Sequence, residues 1–124
     1  MKNIVDLLLD NFGKDKVRAT PDFLEKYGRD WYEGYDPDPS AIFFPTNESD
    51  IANIMQLAAS EDFKLVASGG RTGLNGGATA TEKEVIISSE KLNKIKWLPE
   101  TSQILSQAGV TTDVAKKLAE EHGR

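Results

Sequence analysis

Five of the ten glycines in this 124-residue chain fall in one ten-residue stretch, Ser68 to Gly77, which reads Ser-Gly-Gly-Arg-Thr-Gly-Leu-Asn-Gly-Gly. No other feature constrains the backbone so strongly. Glycine loses more conformational freedom on folding than any other residue. It is justified where φ must be positive or where another group must approach the backbone closely. The stretch directly follows the apolar run Leu65-Val66-Ala67. Successive N–H groups in such a loop can turn inward and form an anion-binding nest. Ser68 and Thr72 add hydroxyls, and Arg71 adds positive charge. A phosphate or pyrophosphate suits that combination; the alternative is a flexible connection with no ligand.

Two familiar phosphate motifs are excluded. The P-loop needs a Lys-Ser/Thr pair after its last glycine, and none follows Gly77. The dinucleotide fingerprint needs GxGxxG opening a helix. Here the spacing is GGxxGxxGG, followed by Ala78-Thr79-Ala80-Thr81 and then the strand-like run Glu84-Val85-Ile86-Ile87-Ser88. The loop therefore joins two strands.

The flanking segments predict a mixed α+β fold. Ile4, Val5, Leu8, Leu9 and Phe12 have helical spacing, giving a first helix over roughly Asn3 to Asn11 that Gly13 ends. A second begins near Thr20-Pro21 and closes at Gly28. Residues 28–40 hold two prolines and several acids and read as an irregular surface loop, with its aromatic side chains folded back on the core. Ala41-Ile42-Phe43-Phe44-Pro45 reads as a short buried strand. A helix follows from Glu48 to Ser60, with Asn47 as N-cap and Asp50 completing a capping-box-like pair. With Leu65-Val66-Ala67 this makes a βαβ unit with parallel strands. Ile95-Lys96-Trp97-Leu98 and Ile104 to Val110, around the turn-like Pro99-Glu100-Thr101-Ser102, predict an antiparallel hairpin. A last helix from Thr112 points Val114, Ala115 and Leu118 inward, with Gly123 as a C-cap. We divide the chain into residues 1–40, helices and an aromatic and acidic loop, and residues 41–124, a small sheet packed by helices.

Composition removes several function classes. A net charge of −5 argues against nucleic-acid binding, which needs a positive surface. The absence of cysteine excludes disulfides and thiolate metal sites and fits a reducing cytoplasm. The single histidine, His122, excludes multi-histidine metal sites and reads as a surface residue at a helix C-terminus. Asp30, Asp36 and Asp38 have no metal-ligand spacing and read as solvated, so no metal is expected. Trp31, Tyr32 and Tyr35 read as cover for a core edge or for another domain, with a binding surface as the alternative. No run approaches the ~18 apolar residues of a membrane span, and the acidic start is unlike a signal peptide.

Val66-Ala-Ser-Gly-Gly-Arg-Thr-Gly-Leu-Asn-Gly-Gly-Ala78 resembles the pyrophosphate loop of the FAD-binding domain in flavoproteins of the vanillyl-alcohol oxidase/p-cresol methylhydroxylase (PCMH) type. The resemblance is nearest to the branch of D-lactate, glycolate and D-2-hydroxyglutarate dehydrogenases. The segments Tyr27-Gly-Arg-Asp-Trp31, Ser40 to Ala58, Val85 to Ile95 and Ile104 to Gly123 are similar to family segments in the same order. The resemblance implies the first lobe of a PCMH-type FAD-binding domain. It implies that backbone N–H groups of Gly69, Gly70, Arg71, Thr72, Gly73 and Leu74 hold the FAD pyrophosphate, with Ser68 at the edge. Gly76 and Gly77 would keep the loop near the cofactor, Pro45 would lie toward the adenine side, and Gly109 and Val110 would lie close to the cofactor.

Some relatives attach flavin covalently through a histidine in this loop. Arg71 stands at the matching position, so the implied FAD is non-covalent. The family continues past the segment matching His122-Gly123 into a second flavin-binding lobe and a substrate domain. These 124 residues are thus expected to be a piece of a longer enzyme and inactive alone, with no catalytic residue among them. The longer protein would oxidise a small 2-hydroxy acid to the 2-oxo acid, in the cytoplasm or peripheral to a membrane. Two other readings stay open: an independent nucleotide- or phosphate-binding module without redox activity, and an interaction domain with a vestigial loop.

Overall fold

Two apolar strands, Ala41–Phe43 (β2) and Val85–Ser88 (β4), form the centre around which the chain is arranged in the computed structural model, which describes residues 2–124. They run parallel, with Ala41 opposite Val85, Ile42 opposite Ile86 and Phe43 opposite Ile87. Side chains alternate between faces of a strand, so each face needs its own cover. On one face Ala41, Phe43 and Val85 join Leu8, Val17 and Ile54. On the other, Ile42 and Ile86 join Tyr27, Phe44 and Ala80.

The covering helices form where sequence spacing expects them. Helix α1 spans Ile4–Phe12; the Asn3 side chain accepts the Asp6 N–H, and Gly13 turns the chain at φ +81°. The ring of Phe12 lies 4.5 Å from that of Phe43. Helix α2 spans Pro21–Tyr27, although the side chain of Thr20, at its N-cap, makes no capping bond. Helix α3 spans Glu48–Glu61 and inserts Ile54 and Ala58. Asn47 caps α3 by accepting the Asp50 N–H at 2.9 Å. The capping box is not reciprocal, because the Asp50 carboxylate turns to Lys16 Nζ at 2.7 Å and the Thr46 N–H at 2.9 Å.

The complete sheet has the order β1-β2-β4-β3, with β1 at Val17–Arg18 and β3 at Leu65–Ser68. The unit β2-α3-β3 is a parallel crossover as expected, but β4 lies between its strands and pairs with both. Strand β1 joins antiparallel to β2. At two residues it is too short to show a period, and its pairing with Ile42 and Phe43 is what makes it a strand.

A 3-10 turn over Ser89–Lys91 leads to the antiparallel hairpin of β5, Ile95–Leu98, and β6, Gln103–Ser106. The ladder ends earlier than the apolar run suggests. There the chain turns back: the Gly109 N–H donates to Leu92 O at 2.7 Å, and the Val110 N–H donates to Gln107 O. Helix α4, Thr112–Glu121, packs on the hairpin. It buries no residue, and Val114 is 46% exposed rather than inward. Gly123, at φ +73°, ends it with N–H bonds from Gly123 to Glu120 O and from Arg124 to Ala119 O, the paired bonds of a Schellman cap. His122 is exposed at the C-cap of α4, as expected, and its ring stacks on Trp97 with centroids 4.4 Å apart and 6° between planes.

Candidate functional site

Parallel strands deliver their carboxyl ends to the same edge of a sheet, where loops can meet around a ligand. Ser68, the last residue of β3, pairs with Ser88, the last of β4. Gly69 to Thr72 leave β3, and Ser89 and Glu90 leave β4. The third wall is Ala108 to Thr112, where the hairpin gives way to α4. These segments enclose a cleft of about 410 Å³.

The glycines around this cleft differ in what requires them. A side chain at Gly70 would meet nothing within 4 Å, and one at Gly69 would meet only Ser89 Oγ at 3.9 Å. Neither takes positive φ. Nothing in the chain itself forbids a side chain there, so the exposed backbone edge is open to a group from outside. Among the described residues, the N–H groups of residues 70–74 donate no hydrogen bond. Ser68 Oγ is buried without a partner. Buried polar atoms are normally satisfied, so this unpaired hydroxyl is an exception among the described residues. Gly109 is different: a Cβ there would lie 1.9 Å from Ser89 O, so its glycine is required by the close crossing of two chain segments.

Charge in the cleft is organised by Tyr27. Arg71, at φ +60°, lays its guanidinium over the Tyr27 ring, 4.3 Å from the centroid. The Tyr27 hydroxyl donates to Glu90 Oε2 at 2.9 Å. Burial pushes the Tyr27 pKa upward, the bond to Glu90 adds to this, and the nearby Arg71 opposes it. The α4 N-terminus also faces the cleft through Thr111 and Thr112. Thr111 Oγ1 accepts the Val114 N–H, leaving the first-turn N–H groups of Thr112 and Asp113 without acceptors among the described residues. A helix N-terminus favours an anion. The loop opens no helix, as expected, but a helix distant in sequence supplies its dipole to the same cleft.

The structure therefore gathers Gly69, Gly70, Arg71, Thr72, Gly109 and Val110 around one space, with buried Ser68 beside it. The other candidates lie elsewhere. Pro45 is fully buried beyond β2, and Leu74 is 74% exposed. Gly76 takes φ +80° beneath the Tyr35 ring, and Gly77 donates its N–H to Asn75 Oδ1. Gly73 borders Asp30. Ser89, Glu90, Thr111, Thr112 and Tyr27 were not singled out by the sequence reading. Only the Thr-Thr before an amphipathic helix carried any local signal, that of a cap.

The loop before β2 also departs from expectation. Asp30 is buried, at 5% exposure, whereas Trp31, Tyr32 and Tyr35 are exposed rather than folded onto the core. Asp38 makes an ion pair with Lys83 at 2.5 Å. No group of acids or histidine suited to a metal occurs among the described residues.

Residues 39–124 match the model of a family described as FAD binding domain. The chain is 36% identical over 109 residues to the D-2-hydroxyglutarate dehydrogenase of Xanthomonas citri pv. viticola, covering 87% of this chain and 23% of that protein. It is 36% identical over 121 residues to the enzyme of the same name from Stutzerimonas stutzeri, covering 97% and 26%. The fold is similar to that of p-cresol methylhydroxylase, with a TM-score of 0.80 and 23% identity over 96% of this chain and 24% of the other. The chain spans about a quarter of the length of these relatives. Its α+β fold is that of the PCMH-type FAD-binding domain.

Proposed function

This chain belongs to the FAD binding domain family, and from that premise we propose that it is the pyrophosphate-holding part of an FAD-dependent oxidoreductase acting on a small 2-hydroxy acid. Ser68 Oγ, the backbone of Gly69 to Thr72 and the N-terminus of α4 are the groups that fit the cofactor's diphosphate. The observation that carries this reading is the pair Gly69 and Gly70, where the chain leaves room that none of its own atoms uses. The unpartnered Ser68 Oγ supports it independently. Gly109 and Val110 line the cleft opposite the loop. We assign Gly73 and Leu74 to the outer end of the cradle, Gly76 and Gly77 to the shape of the loop, and Pro45 to the buried support of β2. The bound FAD would be non-covalent, because Arg71 offers no ring nitrogen for attachment.

Bound FAD would supply the redox chemistry, hydride acceptance from a 2-hydroxy acid and electron transfer to an acceptor. This chain's residues bind and orient. Backbone N–H groups would hold the phosphate oxygens without a side chain intervening, and Arg71 would add charge at the rim. The substrate class rests on likeness to proteins named D-2-hydroxyglutarate dehydrogenases. The division into residues 1–40 and a first lobe at 41–124, the electron acceptor and a cytoplasmic or membrane-peripheral setting belong to the same proposal. Among the described residues no helix is long and apolar enough to cross a membrane.

The test compares Gly70→Val with Arg71→Ala by flavin content and FAD dissociation constant, with circular dichroism to confirm folding. Hydrogen bonds to charged groups contribute about 1.5–3 kcal/mol each, so blocking two costs roughly two orders of magnitude or more in affinity. Gly70→Val is expected to lose FAD while folding normally, because its side chain has space in the free protein. Arg71→Ala is expected to weaken binding less, since the charge is partly exposed and screened. Retention of FAD by Gly70→Val together with its loss in Arg71→Ala would show that charge pairing does the holding. Binding of phosphate or simple nucleotides in place of FAD would favour a module without redox activity.

A further inference from the structure

We propose that Asp30 is the positioning residue of the glycine-rich loop, a clamp that holds the far half of the loop so that its near half faces the cofactor. The proposal rests on the FAD reading for what the near half binds, but the clamp itself is visible in the free chain.

Asp30 inverts the usual pattern of its segment. Its carboxyl group is buried while Trp31, Tyr32 and Tyr35 stay exposed. The Tyr35 ring lies over Gly76 and against Tyr32, outside the core. The buried part of the hold is polar. Asp30 Oδ1 accepts the Tyr32 N–H at 2.9 Å and the Thr79 hydroxyl at 3.4 Å. Asp30 Oδ2 accepts the Ala78 N–H at 3.5 Å. In return, the Asp30 N–H donates to Thr79 Oγ1 at 3.2 Å. Two backbone bonds bracket this cluster: the Trp31 N–H donates to Gly73 O at 3.1 Å, and the Ala80 N–H donates to Gly28 O at 2.9 Å.

Residues 28–32 thus run alongside both ends of the 73–80 turn and tie them together. Gly73 fits because a Cβ there would sit 3.3 Å from Asp30 Oδ2. The near half, residues 69–72, has no such ties and is suspended between β3 and the clamped turn. A loop fixed at both ends presents its N–H groups in one arrangement, so a ligand does not have to order it on binding. An aspartate suits the position because both oxygens accept. An asparagine would leave an N–H group facing an amide NH2 whichever way it turned.

The experiment uses the full chain with Asp30→Asn and, as a second variant, Thr79→Val. Amide hydrogen exchange is followed without FAD, and the FAD dissociation constant is then titrated by flavin fluorescence. The expected result is faster exchange at residues 30–32 and 77–80, whose N–H groups make the bonds of the clamp, with protection kept at residues 41–43 and 85–88. The FAD dissociation constant should rise roughly tenfold, the effect of one lost hydrogen bond. Unchanged exchange at residues 30–32 and 77–80 in both variants would overturn the clamp. So would FAD binding equal to that of the parent, or a loss of protection throughout the sheet in both variants, which would make Asp30 a general stabilising residue. Absence of FAD from the longer protein that contains this chain would sink the cofactor reading, and the exchange data alone would then decide whether Asp30 holds the loop.

Discussion

Strands β2 and β4 and the β5–β6 hairpin are both apolar in sequence, yet they use that apolarity differently. All three residues of β2 are buried, as are Val85, Ile86 and Ser88 of β4. No residue of β5, β6 or α4 is buried. The sheet has helices or returning loops on both faces. The hairpin packs chiefly on α4, through contacts such as the Trp97–His122 stack and the Arg124–Ser102 hydrogen bond. The cleft is built where these two regions meet, at Gly109 against Ser89 and Leu92. One wall is therefore set by a close-packed core and the other by a shallow, largely exposed unit. Leu105 at 61% and Val114 at 46% exposure leave apolar surface on the shallow side.

The largest effect that separates the two regions is expected from Phe43→Ala. Phe43 is fully buried and touches the ring of Phe12. Removing such a side chain costs about 3–5 kcal/mol through lost burial and the cavity left behind. Urea unfolding followed by circular dichroism should show the loss. A cost below about 1 kcal/mol would mean that the sheet is not the stabilising centre.

Asp50→Asn is expected to have an intermediate and pH-dependent effect. Burial raises the Asp50 pKa, but the hydrogen bonds from Lys16 and Thr46 together outweigh it, so the value lies below that of an ordinary carboxylate. A lowered folded-state pKa gives stability that is present above the unfolded value and is lost as pH falls through the folded one. At neutral pH the substitution should cost about 1–3 kcal/mol. The gap from the parent should narrow as pH falls below the ordinary carboxylate value of about 4, where the unfolded chain takes up the proton before the folded protein does. Thermal melts of both proteins across that range check this. A gap that stays constant, or widens toward acid, contradicts the assignment.

His122→Ala probes the shallow side and should have the smallest effect. An aromatic stack contributes about 0.5–1.5 kcal/mol beyond area burial. Amide exchange should quicken in β5, β6 and α4 while the sheet stays protected. Equal acceleration in both regions would show that they unfold as one unit and would remove the distinction between them.

Local chemistry was legible wherever one residue decides one conformation. Asn3, Asn47, Gly13 and Gly123 end helices as their side chains or positive φ values require. The runs at Ala41 and Val85 became strands buried on both faces of the sheet, and the run at Leu65 pairs beside Val85 as an edge strand. The glycine density at residues 68–77 identified the loop, since the backbone freedom it implies is a property of the residues themselves. The same sequence left open which strand lies beside which. β4 between β2 and β3, and β1 against β2, depend on pairings that no local period encodes.

The site divides along the same line. Ser68 to Thr72 could be named from sequence because they are consecutive and chemically unusual. Tertiary structure alone brought Glu90, Thr111 and Thr112 to them, turned the α4 N-terminus toward the cleft, and placed Tyr27 beneath Arg71. It also buried Asp30 and exposed Trp31, against what side-chain polarity suggests. The physical reason is that burial belongs to a position in space. A carboxyl group can be buried when N–H and O–H donors from residues 32, 78 and 79 converge on it, and that convergence exists only once the chain has folded.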